Sequence, residues 1–334
     1  MEKKELLIID PYNWWPNSYD LFQGFKNNNI NFTFLTNFDD EDISAIKAFN
    51  QKNFILKAWE CFYKIPLQVI KNRNKTVIIM WLPLPFFNHI SLAMLKLIGF
   101  KHFIWVHNSI PHSLARYHKY IEKLSIIFWP IIGNVITMNK DFYEKIRHTN
   151  HANFFIPPPV SIKDSKSKLN KKYTFGLIGR FESYKYPKNF INDLEKFCIK
   201  NDLKVLACGK NALDYVQPGL VFDVYDGFIP TQEYNSLIRD TKIILCPYIY
   251  IDMSGVIMTC IEENIFWYSN SVGQIKYLEG FNFCHEEIKN FTSFITNALD
   301  SYNKNHDSYS KSSKSYVQEH NWEASSIKIK KNVS

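Results

Sequence analysis

The chain has little glycine, 11 residues in 334, and no G-x-G-x-x-G anywhere in it. A nicotinamide or flavin site of the dinucleotide-binding kind therefore loses its main sequence support. Six cysteines (Cys61, Cys198, Cys208, Cys246, Cys260 and Cys284) are scattered without the paired short spacings of a zinc site. Several of them sit inside apolar runs, as buried free thiols do. No apolar run reaches the roughly 18 residues of a spanning helix. The opening "MEKKELLIID" passes from charge into a strand with no signal peptide, so we expect a cytoplasmic protein with reduced thiols. Helix-turn-helix, zinc-finger and RNP-like motifs are missing too, and no nucleic-acid partner is expected.

Hydrophobic residues make up 46% of the chain, enough at this length for two domains. Its net charge of +8 is unevenly spread. Lys and Arg against Asp and Glu count 4 to 8 over residues 1–50, 14 to 4 over 51–150, and 22 to 20 over the rest. The basic middle segment is interleaved with Trp, Phe and Tyr. Such a surface suits peripheral contact with an anionic membrane, and a solvated basic face without a partner fits the same composition.

Short runs rich in Ile, Val and Phe alternate with helical patterns, the rhythm of parallel βαβ units covered on both faces. They are residues 6–9, 32–35, 76–81, 102–106, 135–138 and 154–156, then 175–178, 204–207, 220–224, 243–246 and 267–271. Between the two series lies the polar "SIKDSKSKLNKK". This pattern predicts an α/β chain with a first domain over 1–157, a linker over 158–172 and a second domain over 173–315. A C-terminal helix over 316–334 is expected to cross back to the first domain.

Ligands of such sheets gather beyond the carboxyl ends of the strands. The first strand leads into "DPYNWWPNSYD", where Asn13 and Asn17 beside two tryptophans suit a sugar-like ligand, or staple the following helix. "TNFDDEDISA" holds a formal D-x-D at Asp40–Asp42, whose ordinary reading is carboxylates at a helix N-terminus. "FIWVHNSIPHS" delivers His107 and Asn108 to a strand end, with His112 one turn later. A histidine there either exchanges protons with a substrate oxygen or serves the fold. No carboxylate completes a metal set around them, and no metal is expected.

"FGLIGRFESYKYPKNF" follows a strand with Gly179, Arg180 and Lys185, cations that suit a diphosphate or a solvated loop equally. In "CPYIYIDMSGVIMTCIEEN" a strand ends and Ser254 or Asp252 caps a helix beginning near Val256. Gly255 and the first-turn N–H groups there make a ready anion site, although a capped helix needs no ligand. "SNSVGQIKYLEG" adds Gly273 in a turn and Glu279 beyond it.

Taken together, these segments resemble the GT-B glycosyltransferases, specifically the family 4 type of bacterial capsule, O-antigen and exopolysaccharide enzymes. The likeness rests on "WVHNSIPHS", "IGRFESYK", "PYIYIDMSGVIMTCIEEN", "NSVGQIKYLEG" and the tail "HNWEASSIKI", five segments in consistent order over nearly the whole chain. It implies two Rossmann-like domains facing a central cleft, an acceptor-binding one first and a nucleotide-sugar-binding one second.

The resemblance further implies a hexosyltransferase that moves sugar from a nucleotide-sugar donor to a glycan acceptor on a lipid carrier, retaining configuration and using no metal or other cofactor. Arg180, Lys185, Ser254, Gly255 and Val256 would hold the donor diphosphate, and His107 would face the donor sugar. Asn108 and His112, with Asn13 and Asn17, would shape the acceptor side. Where many relatives place a ribose-gripping glutamate, this chain has Thr259, with Glu262 and Glu263 one turn later. That departure keeps open a non-catalytic scaffold of the same fold. An inverting transferase using Asp10 or Asp20 as base is the remaining alternative.

Overall fold

The structure is a computed structural model that describes residues 5–11, 18–37, 45–50, 54–80, 85–106, 118–149, 152–163, 171–251 and 253–333. The chain divides into two compact units. Unit 1 takes the residues up to Pro159 and again those from His320 onward, and unit 2 runs from Val160 to Glu319.

Unit 1 contains β1 (Leu6–Ile9), α1 (Ser18–Asn27), β2 (Phe32–Thr36), β3 (Ala45–Lys47), α2 (Phe54–Lys71), β4 (Thr76–Ile79), α3 (Pro85–Leu97), β5 (His102–Val106), α4 (His118–Ile132), β6 (Asn134–Thr137), α5 (Lys140–Ile146) and β7 (Phe154–Phe155). Its sheet runs β3-β2-β1-β4-β5-β6-β7, parallel throughout, and reverses direction of growth between β1 and β4. The strands are apolar along their length because both faces are covered. Leu6 and Ile8 enter one core with Phe22 and Phe34, whereas Leu7 and Ile9 enter the other with Ile65 and Leu92.

Strand β3 corrects the expectation of a helix after the acidic run. The D-x-D at residues 40–42 lies outside the described residues, and the segment beginning at Ala45 is a strand. Ala45 pairs with Phe34, and the Thr36 carbonyl then accepts the N–H groups of Ala48 and Phe49 at 2.8 and 3.0 Å. Phe49, fully buried, anchors the segment in the core.

Unit 2 contains β8 (Tyr173–Ile178), α6 (Lys188–Asn201), β9 (Val205–Gly209), β10 (Phe222–Asp226), α7 (Thr231–Arg239), β11 (Thr241–Cys246), α8 (Gly255–Glu262), β12 (Phe266–Asn270), β13 (His285–Glu286) and α9 (Phe291–Glu319). Its sheet runs β10-β9-β8-β11-β12-β13, again parallel, with the switch between β8 and β11. Val160 is buried in this core, and residues 164–170 of the polar segment lie outside the described residues.

After α9 the Asn321 side chain accepts the Ala324 N–H at 2.8 Å and starts α10 (Trp322–Val333), which packs on α1 in unit 1. Contact there is backbone-close: a β-carbon on Gly24 would lie 2.8 Å from the Trp322 carbonyl oxygen. Asn28 seals the pair by donating to the Glu323 carbonyl and to Ser326 Oγ.

Candidate functional site in unit 2

The carboxyl ends of β8 and β11, the neighbours that flank the unit 2 switch point, carry the segments singled out in the sequence. β8 leads into Gly179, whose φ of +102° is open to glycine and strained for other residues. A β-carbon at Gly179 would lie 3.1 Å from Val256 Cγ2, so the β8 loop is seated directly on the first turn of α8. From the other side Gly209, the last residue of β9, presses on it with φ +142°; a β-carbon there would meet the Gly179 carbonyl oxygen at 2.0 Å. Two glycines thus let three backbone segments converge.

The loop after Gly179 is held by its own hydrogen bonds. The Glu182 carbonyl accepts the N–H groups of Lys185 and Tyr186 at 2.8 and 2.9 Å. The buried Tyr186 hydroxyl accepts the Ile178 N–H at 2.9 Å and donates to the Ile178 carbonyl at 2.8 Å. Ile249 N–H donates to the Tyr184 carbonyl at 2.7 Å and ties this loop to the one after β11. In that second loop Tyr248 stands 3.3 Å, hydroxyl to hydroxyl, from Ser254. Ser254 Oγ in turn accepts the Ile257 N–H at 3.3 Å, the capping bond that starts α8.

The edge is electropositive for three reasons. First-turn N–H groups at Gly255 and Val256 have no intrahelical carbonyl to bond and carry the positive pole of the helix. The Arg180 side chain is 61% exposed, with Nε 2.7 Å from a Glu182 oxygen that offsets part of its charge. Lys185 is half-buried and, among the described residues, has no carboxylate partner. Burial pushes its ammonium below the usual lysine range, Glu182 and Cys246 act against that, and Arg180 adds to it. A dianion placed here would offset the repulsion between the two cations.

Thr259 is half-buried on the face it shares with Gly255 and Val256 at helical spacing. One turn later the two glutamates are engaged elsewhere. Glu262 accepts the Ser161 N–H and the Lys163 ammonium, both at 2.8 Å. Glu263 is fully buried and pairs with Arg239 Nε at 2.7 Å and with Lys163 at 3.5 Å. Burial works to lower the Lys163 pKa, and the two carboxylates outweigh it and hold it raised. As ribose contacts, Glu262 and Glu263 would first have to give up these pairs.

The loop that carries Arg180 and Lys185 is seated on the first turn of the helix that Ser254 caps and that carries Gly255, Val256 and Thr259. His107, Asn108, His112, Asn13 and Asn17 lie outside the described residues; β5 and β1, which lead to them, end on either side of β4 in unit 1. Asp10 at the end of β1 is buried, and Asp20 is half-buried in the first turn of α1. Among the described residues no group of three His, Cys, Asp or Glu side chains is disposed to hold a metal ion.

Sequence reasoning passed over Lys210, which follows the strand-glycine pair at Gly209. Its carbonyl accepts the Phe181 N–H at 2.9 Å, bringing a third cation, this one exposed, to the same edge. Also passed over was "YDGFIP" after β10, where Phe228 is 95% exposed. A strand ending in glycine before a cation or an aromatic was the available signal in both.

No protein-family model matches the chain, and no curated protein matches it by sequence. Solved structures match over nearly its full length. The lipopolysaccharide outer core galactosyltransferase WaaB is 13% identical with a TM-score of 0.66, covering 98% of this chain and 99% of its own. Sucrose-phosphate synthase of Thermosynechococcus elongatus is 12% identical with a TM-score of 0.69, covering 98% and 97%. HepE of Anabaena, solved with UDP-glucose, is 12% identical with a TM-score of 0.66, covering 98% of each chain. These neighbours are glycosyltransferases of the GT-B fold, and at such low identity the likeness establishes that fold for this chain.

Proposed function

We propose that this GT-B chain is a glycosyltransferase, with unit 2 holding a nucleotide-sugar donor and unit 1 the acceptor. The reading is carried by the seating of the β8 loop, which bears Arg180 and Lys185, on the first turn of α8 at the carboxyl edge of unit 2. Such an arrangement suits a diphosphate, whose charge the two cations and the first-turn amides share. HepE structures solved with UDP, with UDP-glucose and with UDP and glucose support the same donor class.

In the proposed reaction the bond from the anomeric carbon to the diphosphate oxygen breaks first, through an oxocarbenium-like species. The acceptor hydroxyl then bonds to that carbon from the same side and passes its proton to the departing phosphate, so configuration is retained. Stabilising the leaving diphosphate is the main electrostatic contribution of this edge. His107 would face the donor sugar; Asn13, Asn17, Asn108 and His112 would shape the acceptor side. Thr259 is the remaining candidate on α8 for the nucleotide. The acceptor class we favour is a glycan on a lipid carrier in surface polysaccharide synthesis, met by a peripheral protein at an anionic cytoplasmic membrane face through residues 51–150.

One observation favours a second reading. Glu262 and Glu263 are committed to Lys163 and Arg239, so neither α8 carboxylate is free for the ribose grip of many relatives. A non-catalytic scaffold would need none. Thermal shift and hydrolysis with a panel of nucleotide-sugars separates the two. Stabilisation and slow hydrolysis by at least one donor is the expected result; silence across the panel would favour the scaffold.

A further inference from the structure

Unit 1 turns an apolar face outward. On α2 the exposed positions Leu56, Trp59, Tyr63, Leu67 and Ile70 recur at steps of three and four residues, so the solvent side of this helix is as apolar as its buried side. On α3 the same spacing exposes Ile90, Met94 and Leu97, the last at 86%. On α4 it exposes Leu124, Ile127, Phe128 and Ile131. α3 packs between α2 and α4, and Lys96 joins α3 to α4 by donating to the carbonyls of Pro130 and Gly133. The inner sides of all three share one core with Ile65, Leu92 and Ile132. Three neighbouring helices thus each present an apolar stripe outward, more than singly scattered surface hydrophobics account for.

At the end of this surface lies a cavity of about 300 Å³, between the ends of α2 and α3 and the starts of β4 and β5. Ile98 and Phe100 line it, as do Arg73, Lys75 and Lys101. Lys75 is paired with Glu5 at 2.9 Å. Arg73 and Lys101 have no carboxylate partner among the described residues. Ile98, 69% exposed, belongs both to the cavity wall and to the apolar surface. Greasy face and cationic cavity are thus continuous.

Charge decides between occupants. Residues 54–132 contain ten Lys and Arg (57, 64, 71, 73, 75, 96, 101, 116, 119 and 123) against two acids, Glu60 and Glu122. Glu60 is buried and bound to Lys64 at 2.6 Å. A second copy of this face would bring like charges together, which opposes self-association. No described helix is long and apolar enough to cross a membrane, so the face suits lying on a bilayer rather than spanning it.

We infer that the α2–α3–α4 face inserts into the surface of an anionic phospholipid bilayer, with the Arg73–Lys101 cavity taking a headgroup phosphate. The inference rests on the membrane contact proposed for residues 51–150 and gives it a surface and a ligand chemistry. It is independent of whether sugar is transferred. Apolar side chains supply insertion, and the two cations without a carboxylate partner supply preference for anionic lipid.

The test is co-sedimentation of the full chain with vesicles of phosphatidylcholine alone or mixed with phosphatidylglycerol. Wild type is expected to bind the mixed vesicles and not the neutral ones. Met94→Ser/Leu97→Ser should weaken binding by more than about tenfold, because burial of the two side chains is lost. Arg73→Ser/Lys101→Ser should weaken it about 30-fold on mixed vesicles, from about 1 kcal/mol for each surface cation. Circular dichroism and nucleotide-sugar hydrolysis in the absence of lipid check that both variants fold and that unit 2 is intact, so failure here is distinguishable from failure of the transferase reading. Absence of binding to mixed vesicles overturns the inference. So does wild type sedimenting as a dimer that Met94→Ser/Leu97→Ser dissociates. Unchanged binding by Arg73→Ser/Lys101→Ser overturns the cavity, whose cations would then serve only the helix ends.

Discussion

Gly179, directly after β8, and Val256 in the first turn of α8 are in contact: a β-carbon on the glycine would stand 3.1 Å from Val256 Cγ2. Across 77 positions of sequence, this contact seats the loop that carries Arg180 and Lys185 on the first turn of α8. Replacing Gly179 by alanine forces a side chain into φ +102° and pushes the loop off α8. Expected is a loss of about 1–3 kcal/mol of unit 2 stability together with weaker donor binding. Urea unfolding and calorimetry read the two, and an alanine variant of wild-type stability would contradict the contact.

Gly255 is the complementary case. It is exposed, and a β-carbon there meets nothing within 4 Å. Gly255→Ala should therefore leave stability unchanged or raise it by up to about 1 kcal/mol through helix propensity. If a diphosphate lies against the first turn, the added methyl lowers nucleotide affinity all the same. Unchanged affinity in a stable variant would move the ligand away from α8.

How much of this was legible in the sequence differs by element. The strand runs were read to within two residues because parallel strands covered on both faces are apolar without interruption. Ser254 was legible as one of two possible caps, with Asp252, because either side chain can accept a first-turn N–H; the structure uses Ser254. β3 was not, since a three-residue strand behind four acids carries no period. Nor was the engagement of Glu262 and Glu263, which depends on Lys163 and Arg239, 99 and 24 positions away. The apolar stripe on α2 was visible as composition only; when both sides of a helix are apolar, periodicity does not say which faces outward.

Arg239→Met should remove the closest partner of a carboxylate that is fully buried. Glu263 would keep only Lys163 at 3.5 Å. Breaking a buried pair by one partner costs about 3 kcal/mol. Urea unfolding measures it, and Arg239→Met/Glu263→Gln should recover part of the loss. A cost below about 1 kcal/mol would mean the pair is solvated.

His102 predicts a pH dependence of unit 1. The side chain is buried at the start of β5, with Nε2 2.6 Å from the Ile132 carbonyl oxygen. Burial lowers its pKa, the carbonyls of Ile132 and Phe100 act against this, and Lys96 adds to the lowering. The unfolded chain, titrating near ~6.5, then binds the proton more readily than the folded one. Stability is complete above that value and is lost as pH falls from it toward the lowered folded pKa. Unfolding at pH values on both sides of ~6.5 should show the decline, and His102→Gln should flatten it. An equal slope in the variant would remove His102 from the explanation.

The most direct test of the donor site is calorimetric titration of wild type and Arg180→Ala/Lys185→Ala with UDP-glucose, and with the other nucleotide-sugars should that donor fail. Neither side chain is needed by the core, so the double variant should unfold at the wild-type temperature. Wild type is expected to bind one donor, and the variant to bind it at least about 100-fold more weakly, as for two charge-assisted contacts of about 1.5–3 kcal/mol each. Equal affinity in the two proteins would contradict the diphosphate site at β8 and α8.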